Sequence, residues 1–552
     1  MMSDRFSARL SVLRHLGYAA SAVCLLVALP ASAQSVSSGQ LGAAQSFDRG
    51  PLSASSGGLD ANLWQGLSAG RAASQIEAVN ITGLSELPYR YMRRVLLSAG
   101  VPPQGDSDSQ AAYLQAATQA KLQLGDYAAL ESISNAQNPL QRDPKFRVDL
   151  ALASGDVDGA CAESDREIDN RTAPFWMQMR IVCHLKRDEA AAAELTLNLM
   201  RDNEESDKDF IALADHVLGL RKSAPKNTPE GEPIFTALKA LGGAESGSAK
   251  TAADYAKIAL SAETVADERL AAIFKSGRTL RPEQVKSIMS ELQFSNADLA
   301  GEGTSFDVES ALTGLQGTLT RTKSVAQLYT LATNLNDPVS SSQAVAALLN
   351  FSETVDYVPQ MTALLSDSLP FIPAERQAEL DAERFAWAAV RRSDLSALGG
   401  IYRAIDPEGP LAPRIALASD ALGNGFLLGQ LGLDIESRLE KGGNIRRQAV
   451  RDALIALGLG AQLSDEAAAM LENHTRTERI NPVTLARLNA AASAGTRAGT
   501  LLQVTQAIGG RDVSTLSNLE IYSYISALSK AGLTREAGEL AAFDFLARVP
   551  TQ

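Results

Sequence analysis

From Leu63 onward, apolar residues recur at spacings of three and four, and single alternation of apolar with polar positions is almost absent. The first spacing draws an apolar stripe along one side of an α-helix, whereas alternation would line one face of a strand. The pattern therefore predicts an all-α chain. Alanine and leucine dominate, and aromatics are scarce at 5% of residues, so small side chains must let the helices approach closely. The helices come in short pairs with similar joints. KLQLGDYAALESI (Lys121–Ile133), ALASGDVDGACAES (Ala151–Ser164) and CHLKRDEAAAAELTL (Cys183–Leu197) align on Asp126, Asp156 and Asp188, at steps of 30 and 32 residues. A period of this size marks stacked helical hairpins, an α-solenoid. At each joint Gly125 or Gly155 can take the left-handed conformation that stops a helix. The aspartate that follows can accept from the free amides of the next helix, which contributes about 1 kcal/mol. Arg187 holds the glycine position in the third copy, so that turn must be built differently. Weaker echoes follow in AAVRRSDLSALGGIY (Ala388–Tyr402), NAAASAGTRAGTLL (Asn489–Leu502) and SALSKAGLTREAGELA (Ser526–Ala541).

Ahead of the helices lies a different kind of chain. Arg5, Arg9 and Arg14 precede an apolar run, Leu16–Leu29, and Ala31-Ser32-Ala33 fits a signal-peptidase site. Residues 1–33 are expected to be an export signal cut after Ala33. The run is short of the roughly 20 residues that span a bilayer, and Val23 before Cys24 is too large for a lipoprotein site; an uncleaved or lipid anchor is the minor alternative. Residues 34–60, rich in Ser, Gly and Ala, cannot bury enough surface to offset chain entropy and read as a disordered tether. The remainder divides into N-terminal helical repeats (61–221), a proline-bearing linker (222–234), a middle helical segment (235–305) and C-terminal helical repeats (306–552). No other stretch is long and apolar enough to cross a membrane, so the mature chain is expected to lack a transmembrane segment.

Two resemblances attach to these residues. LQLGDYAAL resembles the middle of a tetratricopeptide (TPR) repeat, with Gly125-Asp126-Tyr127 at the turn between its two helices and Pro139 near its end. The large aromatic expected early in the first helix is absent. Over Leu63–Leu220, the segments LWQGLS, LPYRYMRRVL, ACAESDRE and PFWMQMRIVCHLKRDEAAAAELTL resemble a group of exported alphaproteobacterial TPR-like helical repeat proteins, often labelled "antifreeze glycopeptide" proteins. That resemblance implies an envelope location and no particular activity. Ice binding needs a flat, regular Thr or Ala array, which helices joined about every 15 residues do not offer.

Charge and titratable residues narrow the function. With 51 Lys and Arg against 64 Asp and Glu, the chain carries −13, and loss of the leader makes it more negative by two. This argues against nucleic acid or an anionic membrane surface as a partner. Only His184, His216 and His474 remain beyond the leader, a thin supply for acid–base or metal chemistry. Cys161 and Cys183 are the only cysteines beyond it. A helix ending near Ile168, a turn over Asn170–Ala173 and a helix opened by Pro174 set them 10 residues before and 12 after Arg171. At 1.5 Å per residue they differ in height by about 3 Å on antiparallel helices. A disulfide stapling one hairpin is expected, persisting in an oxidising compartment and contributing about 3 kcal/mol; two buried free thiols are the alternative.

Catalytic signatures are weak. Lytic transglycosylases pair an all-α scaffold with a catalytic Glu-Ser motif, and Glu245-Ser246 and Glu309-Ser310 supply the dipeptide. Gly314-Leu315-Gln316 follows the second far too soon to be the companion stretch. Gly423, Gly425 and Gly429 follow RIALASDAL, which reads as helix, whereas a phosphate loop needs a strand there. The most distinctive surface candidate is LPYRYMRRVL (Leu87–Leu96): Tyr89, Arg90, Tyr91, Arg93 and Arg94 join aromatic and basic groups favoured at binding hot spots, unless the helix simply caps the first repeat. The expectation is thus a periplasmic, non-enzymatic TPR-like α-solenoid that scaffolds an envelope protein or peptide, without catalytic, cofactor or metal residues. The alternatives are an enzyme acting on cell-wall glycan and a structural or ice-associated envelope protein.

Overall fold

The computed structural model describes residues 52, 53 and 57–547, apart from 126–142, 155, 204–205, 226–228, 230–231, 242–251, 261–263, 265, 281, 292–307, 316–320, 335, 424–436, 442 and 476–479. All described residues lie in the compact unit Ala43–Gln552. The segment read as an export signal (1–33) and most of the segment read as a tether (34–60) lie outside the described residues. Among the described residues regular structure is helical, apart from two isolated parallel bridges, Leu52 with Ser98 and Ser68 with Gln104. The all-α class read from the periodicity is the class the protein has. No helix among the described residues is long and apolar enough to cross a membrane.

The first helices are α1 (Ala69–Glu77), α2 (Glu86–Leu97) and α3 (Ser107–Leu124). A second group runs α4 (Pro144–Ser154), α5 (Val157–Arg166), α6 (Pro174–Lys186), α7 (Ala190–Arg201), α8 (Lys208–Val217) and α9 (Pro233–Leu241). Next come α10 (Ala252–Leu260), α11 (Ala266–Lys275), α12 (Pro282–Glu291), α13 (Val308–Leu315), α14 (Arg321–Thr333), α15 (Pro338–Thr354) and α16 (Val358–Leu364). The last group is α17 (Ala374–Arg392), α18 (Leu395–Ala404), α19 (Ala412–Leu422), α20 (Gly443–Gly458), α21 (Asp465–Thr475), α22 (Pro482–Ser493), α23 (Arg497–Ile508), α24 (Asn518–Lys530) and α25 (Thr534–Ala547).

One half of each of the first two joints lies among the described residues and acts as the sequence implies, and a related closure recurs further along the chain. Gly125 ends α3 at φ +69°, a conformation costly for any residue with a Cβ. Asp126 and Tyr127 lie outside the described residues, as does Gly155. Asp156 caps α5, accepting from the Gly159 amide at 2.8 Å. The third joint corrects the alignment: Asp188 is the left-handed residue (φ +60°), Arg187 is not, and Glu189 stands at the N-cap with its carboxylate turned back to His184 Nδ1 at 2.7 Å instead of capping the helix amides. The weaker echoes share the conformation, with Ser393, Gly495 and Gly532 at φ +53°, +64° and +74°. Each closes the same pair of bonds. Ser393 N–H donates to Val390 O at 3.0 Å and Asp394 N–H to Ala389 O at 2.9 Å, and the pattern recurs at 188–189, 495–496 and 532–533. These Schellman closures satisfy carbonyls that a helix end leaves free. Asp394 then caps α18 through the Ala397 amide at 3.0 Å, as an aspartate does at α5.

Packing departs from a purely nearest-neighbour stack. Helices α4 to α8 each touch the next, and Cys161 and Cys183 form the expected disulfide between α5 and α6, with Cα atoms 5.6 Å apart. The break at 222–234 is not a boundary between cores. Helix α9 returns onto α4, α6 and α8, and Phe235 meets Phe210 edge to face at 5.6 Å within the same apolar cluster. A second cluster unites residues from Leu59–Leu124 with residues from Ala256–Leu546. There α2 packs on α23, and α25 on α17, α19 and α24. The end of the segment read as tether takes part. Leu59 is buried and donates its amide to Ser98 Oγ at 2.7 Å, and Leu52 exchanges backbone hydrogen bonds with Leu97 and Ala99. A buried leucine supplies what the Ser/Gly-rich stretch before it lacks.

Helix α25 occupies the centre of this arrangement: every residue from Glu536 to Leu546 is buried. Gly538 lies against α19 so closely that a Cβ there would come within 2.3 Å of Ala421 O. Three carboxylates on α25 are buried, and each meets an arginine. Arg94 on α2 donates to Glu536 at 2.9 Å and to Glu539 at 2.5 Å. Arg451 on α20 pairs with Asp544 at 2.5 Å, and Arg414 on α19 donates to the Phe545 and Leu546 carbonyls. Burial alone would raise the Glu539 pKa, but the charges of Arg94 and Arg90, the Arg94 hydrogen bond and Arg535 outweigh it and hold the carboxyl below its ordinary range.

Glu539→Gln leaves Arg94 buried with less compensation and should lower stability by about 3–5 kcal/mol in denaturant titration. Because the folded-state pKa is depressed, the Glu539 contribution is complete above the unfolded value near 4.3 and is lost as pH falls through the lower folded value. The wild type should therefore lose melting temperature more steeply than Glu539→Gln below about pH 4. Replacing Cys161 and Cys183 by serine should cost about 3 kcal/mol, with faster amide exchange confined to α4–α9.

Candidate partner-binding cleft

Helix α2 carries the aromatic and basic residues singled out in the sequence, and the structure buries two of the five, Tyr91 and Arg94. Tyr91 is fully buried, and its hydroxyl donates to Glu536 O at 2.6 Å. Burial, then the carboxylates of Glu539 and Glu536, push its phenol well above the ordinary value, so it remains a donor. Arg94 is buried in the pairs described above. Arg90 stands 3.7 Å from Glu539 and over the Phe543 ring at 5.7 Å. Tyr89 donates to Leu124 O at 2.8 Å, and the Arg278 guanidinium lies 4.3 Å from its ring centroid. Arg93 is half-buried. Arg90, Tyr91 and Arg94 thus meet α25; a surface for an outside partner cannot include Tyr91 or Arg94, since reaching them would require parting α2 from α25.

The start of the same helix borders a cleft of about 480 Å³. Its walls come from Glu86 and Leu87 on α2, Glu383, Trp387 and Arg391 on α17, the turn Asp512–Ser514, and Phe543 and Leu546 on α25. Trp387 and Phe543 meet edge to face at 5.5 Å, a favoured aromatic geometry. Arg391 grips the Glu86 carboxylate through Nε at 2.9 and 3.1 Å and Nη2 at 3.1 Å, and its guanidinium lies 4.9 Å from the Trp387 ring centroid. A two-pronged pair of this kind fixes the angle between α2 and α17 as well as their charge balance. Glu383 pairs with Arg414 at 2.7 Å. Asp512 is different: its carboxylate accepts from the Ser514 amide at 2.8 Å and hydroxyl at 2.5 Å, while the neighbouring Arg511 turns away to Glu520 at 2.9 Å. Asp512 thus presents an exposed anion at the rim with no cation opposite it among the described residues.

The other candidates lie elsewhere. Glu309 is exposed on α13 and borders an open groove of about 690 Å³ with Gln343 and Asn350 on α15 and Asp381 and Arg384 on α17. Asp381 and Glu353 both pair with Arg384 there. Glu245-Ser246, Gly425 and Gly429 lie outside the described residues, and RIALASDAL is helical, within α19. Among the described residues no group of three or more His, Cys, Asp or Glu is placed to hold a metal ion.

The sequence did not point to Trp387, Arg391, Phe543 or Asp512. Their separation in the chain hides them, and each taken alone reads as an ordinary helix or turn residue. The chain matches no family model, and no curated protein or solved structure shows significant similarity to it. A double-mutant cycle of Glu86→Gln with Arg391→Gln should give a coupling on the order of 1 kcal/mol in denaturant titration; additive single effects would show that the pair does not brace the cleft.

Proposed function

We propose that the protein is a non-enzymatic periplasmic scaffold or adaptor, TPR-like in construction, that binds a cell-envelope protein or peptide in the cleft between α2, α17 and α25. The observation that carries this reading is the cleft itself. It is concave, lined in part by apolar side chains and braced by Glu86 and Arg391 beside an aromatic pair, the character of a largely pre-formed binding site. The leader-like N-terminus and the Cys161–Cys183 disulfide support an oxidising, exported location.

The competing reading is an enzyme on cell-wall glycan, favoured by the place of Glu309 on an open polar groove. Two measurements separate the readings. A photo-crosslinking residue at Ser514 should capture a discrete envelope protein in living cells, and capture should fail when Trp387→Ala removes the aromatic wall. Zymography on peptidoglycan should show no clearing; clearing that disappears in Glu309→Gln would overturn the scaffold reading.

A further inference from the structure

The cleft has a composition that selects among peptides. Its apolar lining is Trp387, which is half-buried, with Leu87, Val513, Phe543 and Leu546, which are buried behind it. At about 480 Å³ it falls within the range that holds a small ligand or a few side chains. The aromatic faces already carry cations from within the chain, Arg391 over Trp387 and Arg90 over Phe543. A partner's cation therefore gains little by stacking there. Three carboxylates line the cleft. Arg391 answers Glu86 and Arg414 answers Glu383, which leaves Asp512. It sits beside Val513, so an anion and an apolar lining residue are adjacent in the chain and border the same space. The chain as a whole is acidic at −13, which draws in cationic segments by its long-range field.

We infer that the cleft takes an extended peptide segment in which a lysine or arginine neighbours a leucine-sized apolar residue: the apolar side chain packs on Trp387, and the cation meets Asp512. The inference rests on the cleft's being a binding site and adds the chemistry of what it binds. Asp512 suits a test because its side chain also caps the short turn after it, through the Ser514 amide. Asparagine keeps that acceptor and removes only the charge.

The probe is a fluorescein-labelled nonapeptide of alternating lysine and leucine, read by fluorescence anisotropy with the full chain. Saturable binding is expected, weakened about tenfold by Asp512→Asn and further by raised salt, with the melting temperature of the variant unchanged. A lysine–glycine peptide should bind poorly, as should a glutamate–leucine peptide, and Asp512→Lys should restore binding of the latter. Equal binding of the lysine–glycine peptide would reduce the effect to general attraction by an acidic chain and overturn the inference. So would binding indifferent to Asp512→Asn. Self-association of the free protein that Asp512→Asn abolishes would put a second copy in the cleft and overturn it as well. Capture of a partner at Ser514 in cells, with no affinity for the lysine–leucine peptide, would sink this inference while leaving the scaffold reading intact.

Discussion

The arrangement depends on the burial of α25. A helix buried all round gains apolar contact on every side but leaves no solvent for its charges. Glu536, Glu539 and Asp544 are nonetheless there, and each requires a cation from another helix. Such pairs contribute little net stability relative to apolar substitutes, yet removing one partner is costly. Their physical effect is selective: α2 docks where Arg94 reaches both glutamates, and α20 docks where Arg451 reaches Asp544. A helix docked in another register would leave a bare charge in a medium of low polarity.

This selectivity reaches the cleft. Its walls are the beginning of α2, the second half of α17, the turn Asp512–Ser514 and the end of α25; the Arg94 pairs hold α2 to α25, and the Glu86–Arg391 pair holds α17 to α2. Ser393, the left-handed residue that ends α17, also places its hydroxyl 3.3 Å from Glu539. A joint repeated along the chain for local reasons thus contributes at this point to the buried ionic cluster, and helix termination, charge compensation and cleft geometry share one residue.

The second group, α4–α9, shows the same grammar under a different restraint. Its apolar cluster is separate, and a covalent bond between α5 and α6 restrains it where α25 has ion pairs. Small helical groups bury a limited fraction of their surface, and a cross-link offsets part of the chain entropy that a modest core leaves uncompensated.

Much of this was legible in the residues alone. The 3.6-residue spacing determines helices because it places apolar groups on one side wherever the chain goes. The Gly-Asp joint is local, a matter of one left-handed residue and one capping acceptor, and the hairpin register that pairs Cys161 with Cys183 follows from counting along two helices. Even locally the reading slipped at Asp188, since a residue other than glycine can take the left-handed turn when the closing hydrogen bonds are made. Which helices meet across hundreds of residues was not legible. Arg94 looked like a surface cation, and only the packing of α2 on α25 showed it to be buried against Glu536 and Glu539. Asp512, Trp387 and Phe543 likewise acquire a common meaning only in space. Periodicity and capping are short-range and written residue by residue, whereas the pairing of distant charges and the cleft between their helices belong to the tertiary structure, because only there do side chains compete for the same buried volume.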